Sequence, residues 1–233
     1  METIIIDQIT QKVKERTDNK TIFVGVHGPQ GCGKSTSCEN VRKILCEQNI
    51  NCFVFSLDDF YYPYSKMQQI LFEFHDPLYK HRGLAGTHDT EWLEDFFNRI
   101  HDGKHAVLPK FNKTLHNGQG DVDEFVPIDE HFDVVIIEGW MIGYKPRQFI
   151  PSYLRIFNRE LEKYQFLHKF INIWLYFGTD LQNIYDWRFD AETTMTKESF
   201  DEFIKPYFVI YSNYLISDEI NKYVLDKNRH IIE

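Results

Sequence analysis

The chain has 233 residues, 42% of them hydrophobic and 16% aromatic, enough to bury a sizeable core in one domain or in a domain with a lid. Its formal charge of −9 argues mildly against nucleic acid or an anionic membrane as the main partner, while leaving room for a local basic pocket that holds a small anion. The opening METIIIDQITQKVKERTDNK has only a three-residue apolar run, and no later segment is long enough to cross a bilayer, so neither a signal peptide nor a membrane span is expected.

Cys32, Cys38, Cys46 and Cys52 form no Cys-x-x-Cys pair and no metal spacing with histidine. Reduced thiols in a cytoplasmic protein are the expectation. His101 and His105 are spaced to share a helix face, but HDGKH holds a glycine at a helix end, so solvated loop histidines are expected there rather than zinc ligands.

In chain order, Ile5, Ile9 and Val13 recur every four residues and predict a helix over 3–16. TIFVGVH (21–27) predicts a buried strand running into a glycine loop, STSCENVRKILCEQN (35–49) a helix, and NCFVFSL (51–57) a second strand. The aromatic segment 60–88 reads as irregular. A helix follows over 90–101 with Asp89 as its N-cap. The stretch 106–131 again reads as irregular, and two long loops of this kind in a compact domain suggest function. DVVIIEG (133–139) and NIWLYFG (172–178) are nearly continuous apolar runs, as strands of a parallel sheet covered on both faces would be. Helices are expected at 179–191 and 197–217, and a last strand in KYVLDKNRHIIE. Alternating strands and helices predict one α/β domain over 1–233, with about five parallel strands and helices on both faces.

GPQGCGKST, the run Gly28, Pro29, Gln30, Gly31, Cys32, Gly33, Lys34, Ser35 and Thr36, matches G-x-x-x-x-G-K-[ST] between a predicted strand and a predicted helix. Its glycines let the backbone approach a polyphosphate with N–H groups turned inward, and the helix start adds partial positive charge. Lys34 is expected at the β- and γ-phosphates and the Ser35 hydroxyl on Mg²⁺. Cys32 in the loop invites a redox reading, but a small residue in a variable position is the plainer one and is preferred. No Asn-Lys-x-Asp occurs, which weakens a GTPase reading without establishing ATP.

SLDDFYYP sets Asp58 and Asp59 at the carboxyl end of a strand, where ligands of open α/β sheets sit. One of them could accept a proton from an attacking hydroxyl or bind the metal's water shell; for Asp59 a helix cap is an equal alternative. Glu138 ends an apolar strand, where a carboxylate is costly unless paired or metal-bound, and reads as the partner that orients Mg²⁺ or its water. YKHRGLAGTHDTEWL, residues 79–93, is a second glycine loop beside charged groups at a helix start, with the build of an anion site.

GPQGCGKS, SLDDFY, RGLAGTHD, LPKFNK, GQGD and VVIIEGWMIGYKP, in that order, resemble the glycerate kinase-like P-loop kinases, which include plant-type D-glycerate 3-kinase and a related fungal ATP-dependent kinase within the phosphoribulokinase, uridine kinase and pantothenate kinase superfamily. IYDWRFDAE and LDKNRHI extend the likeness toward the C-terminus. The resemblance implies a P-loop NTPase fold with a short lid, ATP and Mg²⁺ as cofactors, and a small hydroxylated acceptor, D-glycerate first. It makes Asp58 the base, with Lys34 and Arg188 stabilising the transferred phosphoryl. It groups Asp59, Tyr61, Arg82, His88, Lys110 and Lys113 around the acceptor, and points to KNRHI for the adenine. Phe111-Asn112 stands where the family has Tyr-Asp, and Val122 where it has a basic residue. A nucleoside- or pantothenate-type kinase, or a non-catalytic ATP-binding regulator, is the alternative. A monomer is the simplest expectation.

Overall fold

The computed structural model describes every residue except 193–194, 215, 217–219 and 233. A five-stranded sheet forms its centre, in the order β2 (Cys52–Ser56), β5 (Val134–Gly139), β1 (Ile22–His27), β6 (Ile173–Gly178), β7 (Asn221–Val224), with all four pairings parallel. Side chains alternate across a strand, so an apolar run buried on both faces feeds two cores. Ile22, Val24, Val26, Val134 and Ile136 pack against Ile5 and Ile9 of α1 (Glu2–Glu15) and Cys38, Val41 and Leu45 of α2 (Lys34–Glu47). Phe23, Val135 and Ile137 face the larger core, which includes Phe96 and Phe97 of α4 (Thr90–His101). Asp89 caps α4, its side chain accepting from the Trp92 N–H at 2.9 Å.

The two segments that read as irregular contain regular structure. Between 60 and 88 lies α3 (Tyr64–Phe74), and a 3₁₀ turn, Leu57–Phe60, precedes it. Residues 106–131 contain an antiparallel hairpin, β3 (Ala106–Asn112) with β4 (Asp121–Ile128), joined by a turn in which His116 and Asn117 hold positive φ. The hairpin is separate from the main sheet and shifts register between Lys110 and Phe111.

After β5 the chain forms two short helices, α5 (Arg155–Leu161) and α6 (Leu167–Phe170), before re-entering the sheet at β6. Buried His27, at the end of β1, accepts the Gly143 N–H on Nδ1 at 3.0 Å and ties that connection down. Two longer helices, α7 (Leu181–Ala191) and α8 (Lys197–Asn213), lead to β7. The helix expected to reach 217 ends earlier, at Asn213, where Tyr214 turns to extended backbone as its C-cap; the middle of the lid connection, 193–194, lies outside the described residues. Among the described residues no helix is long and apolar enough to cross a membrane.

Candidate active site

Strand register brings the candidate residues together. Ser56 pairs with Glu138, Glu138 with Val26, and Gly139 with His27. The ends of β2, β5 and β1 therefore lie side by side, delivering the Asp58–Asp59 turn, Glu138 and the Gly28–Thr36 loop to one crevice beyond the sheet.

In that loop Gly31 and Gly33 have φ of 81° and 95°, a region costly for any residue with a Cβ, and Gly33 is the N-cap of α2. The first-turn N–H groups of α2 have no intrahelical acceptor and point into the loop's concavity together with the positive end of the helix dipole. The Lys34 ammonium is nearly buried and donates to the Pro29 carbonyl at 2.9 Å. Cys32 is fully buried and burial pushes its thiol up, which suits a packing role and not a reactive one.

Ser35 Oγ donates to Glu138 Oε1 at 2.8 Å, and Glu138 is only 6% exposed. A hydroxyl and a carboxylate within bonding distance, at the mouth of a phosphate loop, are the hard oxygen donors that Mg²⁺ takes alongside substrate phosphates and water. No group of three or more His, Cys, Asp or Glu suited to a metal occurs among the described residues. A metal shared with phosphate fits the residues present.

Asp58 and Asp59 each meet a lysine from the hairpin. Lys113 Nζ lies 2.6 Å from Asp58 Oδ2, and Lys110 Nζ 3.1 Å from Asp59 Oδ2. Burial would raise the Asp58 carboxyl, but Lys113, with smaller help from His88 and Tyr61, outweighs it and holds the group below the ordinary carboxylate range. Asp59 also accepts the Ser56 N–H at 3.0 Å, completing a capping box around the 3₁₀ turn. The cap reading of Asp59 is thus realised, alongside its ion pair. The Tyr61 ring stacks on the His88 ring at 4.3 Å, and a backbone bridge joins the two residues. Arg82 donates to the Gly118 and Gln119 carbonyls at the hairpin turn and lies over the rings of Phe111 and Tyr61, at 5.2 and 5.8 Å. Phe111, one of the three departures from the resembled motifs, is therefore a platform for Arg82.

Residues 82–88 are held by three aromatic side chains to which the sequence reading gave no role. Trp140 Nε1 donates to the Gly83 carbonyl at 2.9 Å, the Tyr207 hydroxyl to the Arg82 carbonyl at 3.1 Å, and the Tyr79 hydroxyl to the Ala85 carbonyl at 2.7 Å. Gly83, at φ 128°, lies against the Tyr207 hydroxyl, so a side chain there is barred both by backbone conformation and by space.

On the other side of the phosphate loop, α7 packs so closely that a Cβ on Gly31 would lie 2.9 Å from Trp187 Cβ and 3.5 Å from the Arg188 nitrogen. Arg188 pairs with Glu192 at 2.5 Å, lies over the Phe203 ring, and keeps a buried Nε with no partner among the described residues. Arg229, in the KNRHI segment, donates to the Gly31 carbonyl at 2.9 Å and covers the Trp187 indole at 4.9 Å. The Trp-Arg and Asn-Arg pairs in the sequence were the available signal for this contact. A cavity of about 470 Å³ lies at the opposite end of the sheet, where β1 begins, and none of these residues lines it.

A parallel sheet with a glycine loop, lysine and serine at the end of β1 and carboxylates at the ends of β5 and β2 defines an ATP-dependent kinase of the P-loop class. The chain belongs to the Phosphoribulokinase / Uridine kinase family, whose model matches residues 23–212. It is 28% identical to an uncharacterized kinase of Schizosaccharomyces pombe, over 97% of this chain and 96% of that one. It is also 28% identical to the chloroplastic D-glycerate 3-kinase of Arabidopsis thaliana, over 90% of this chain and 52% of that one, and so spans about half of the plant protein. The solved D-glycerate 3-kinase of Cryptococcus neoformans superposes with a TM-score of 0.86 at 25% identity, covering 100% of this chain and 96% of the other.

Proposed function

We propose that the chain transfers the γ-phosphoryl group of Mg²⁺-ATP to a hydroxyl of a small acidic metabolite, with D-glycerate the leading acceptor. The observation that carries this reading is the Asp58–Lys113 contact beside Asp59–Lys110: a strand-end carboxylate placed as a base, covered by two ammonium groups from the hairpin. Both lysines are accessible, with side chains 56% and 41% exposed for Lys113 and Lys110, so an acceptor carboxylate can compete for them. The D-glycerate 3-kinases among the similar proteins support the same acceptor.

Asp58 Oδ2 takes the proton of the acceptor hydroxyl as its oxygen bonds to the γ-phosphorus, and the bond to the β-phosphate bridging oxygen breaks to release ADP. Lys34 holds the β- and γ-phosphates, and Arg188 offers its guanidinium to the charge that builds on the phosphoryl oxygens. Ser35 and Glu138 would hold Mg²⁺ or its water. When bound, the metal neutralises phosphate charge and fixes the phosphate geometry. Arg82 and His88 border the acceptor, and Tyr61 supplies an apolar wall. All four cysteines are free, which accords with a reducing cytoplasmic setting, and we take the chain to act as a monomer.

Asp58→Asn tests the assignment. It should lower kcat by about 10²- to 10⁴-fold and leave ATP affinity nearly unchanged. An active variant would remove Asp58 as the base. A wild-type chain that binds ATP but turns over with no acceptor would favour the non-catalytic regulator, and turnover only with a nucleoside or pantothenate would move the acceptor to that class.

A further inference from the structure

His88 is 1% exposed, and its Nε2 is buried with no hydrogen-bond partner among the described residues. Its other nitrogen, Nδ1, lies 2.8 Å from the hydroxyl of Tyr164, which is also 1% exposed. Tyr164 ends a 3₁₀ turn between α5 and α6, more than seventy residues along the chain. The same hydroxyl accepts the Gly86 N–H at 3.1 Å. The loop that carries His88 therefore reaches this hydroxyl twice, through the Gly86 N–H and through the His88 ring.

This arrangement decides the tautomer. The Tyr164 phenol keeps its proton, because burial raises it far above its usual range. Among the described residues, His88 Nδ1 at 2.8 Å is the acceptor that proton meets. The opposite arrangement, with hydrogen on Nδ1, would leave two buried groups unsatisfied, the Tyr164 O–H and the Nε2 lone pair, where the first leaves only the Nε2–H. Burial also lowers the His88 imidazole to about 3, outweighing the nearby Asp58 charge, so the ring is neutral in ordinary buffers. The hydrogen of the neutral ring is then on Nε2. That ring stacks on Tyr61, within electrostatic reach of the Asp58 carboxylate and the Lys113 ammonium.

We propose that Tyr164 is a positioning residue that locks His88 as the neutral Nε2–H tautomer, making it a fixed hydrogen-bond donor to an oxygen of the acceptor beside Asp58. The inference rests on the kinase reading above and deepens it. The acceptor chemistry it implies is a hydroxyl or carboxylate oxygen, because a donor-only nitrogen rejects a group that must itself donate. A buried donor left unpaired without ligand and paired with it favours such an acceptor over an apolar one.

Two measurements test the proposal. In chain labelled with ¹⁵N-histidine, the resonances lost in His88→Gln identify His88, and the shifts of its two nitrogens report the tautomer at neutral pH. Hydrogen on Nε2 is expected; hydrogen on Nδ1 overturns the proposal. The second is a double-mutant cycle with D-glycerate and ATP. His88→Gln keeps an amide N–H donor whose orientation does not depend on a Tyr164 proton. Tyr164→Phe should lower kcat/KM for the acceptor about tenfold in the His88 chain, but by less than about twofold in the His88→Gln background, with KM for ATP unchanged in both. Equal losses in the two backgrounds would mean that Tyr164 only supports the Gly86 loop, and would overturn the positioning role. A wild-type chain with the Nε2–H tautomer but no turnover on any acceptor would defeat the function reading, and the donor role with it, while leaving the tautomer assignment standing.

Discussion

The Lys113 ammonium lies 2.6 Å from the Asp58 carboxylate, joining the turn of the β3–β4 hairpin to the end of β2, an edge strand of the main sheet. The pair keeps Asp58 ionised, which a base requires, and at the same time lowers its proton affinity. It follows that an acidic acceptor which draws Lys113 to itself makes Asp58 a stronger base when the hydroxyl arrives.

Lys113→Met should therefore move the acid limb of kcat/KM to higher pH, because the main group lowering the Asp58 carboxyl is gone. It should also cost about tenfold in kcat/KM for an acidic acceptor through the lost charge-assisted contact. The stability effect has a defined sign. A carboxylate lowered in the folded state stabilises the fold above its unfolded pKa of about 3.9, and that contribution is lost as pH falls through the lower folded value. The variant should melt below wild type at neutral pH and the difference should close in acid. A pH profile and melts at several pH values check both.

Glu138→Gln keeps the shape of the side chain and the contact to Ser35 Oγ but removes the charge. The Mg²⁺ concentration for half-maximal activity should rise by about 10- to 100-fold, with the acceptor KM little changed. Titration of activity with Mg²⁺ checks this, and an unchanged titration would remove Glu138 from the metal's surroundings.

Gly83→Ala places a side chain at φ 128° and against the Tyr207 phenol, whose Cζ would be 3.1 Å from the new Cβ. We expect a loss of about 1–3 kcal/mol of stability and a Tm lower by about 5 °C. Acceptor turnover should fall more than ATP binding, since the phosphate loop lies on other strands. Calorimetry and nucleotide titration separate the two effects.

The central sheet was legible because its strands are apolar runs bounded by turn residues, and parallel strands buried on both faces must read that way. The hairpin was not. Its second strand, DVDEFVPI, is half exposed and its first contains Pro109, so neither shows clean alternation. The Asn117-Gly118 pair between them was a usable hairpin signal that the reading passed over. Helix α3 was hidden by its aromatic flanks, although Met67, Ile70 and Phe74 recur at helical spacing. In the site, Lys34, Ser35, Asp58 and Glu138 were legible because strand ends and a glycine loop dictate where they go. Tyr164 and Tyr207 were not, because a buried aromatic that orients a loop from a distant segment leaves no local spacing to read; Trp140 lies in VVIIEGWMIGYKP, but its bond to the Gly83 carbonyl leaves no mark in that motif.

The most direct test of the account is Mg²⁺-dependent ADP formation from ATP with D-glycerate, beside a panel of hydroxyacids, sugars and nucleosides, with Lys34→Ala as the blank. D-glycerate should stimulate ADP formation in the wild-type chain and not in the blank. Stimulation by nucleosides alone, or ADP formation indifferent to every acceptor, would contradict it.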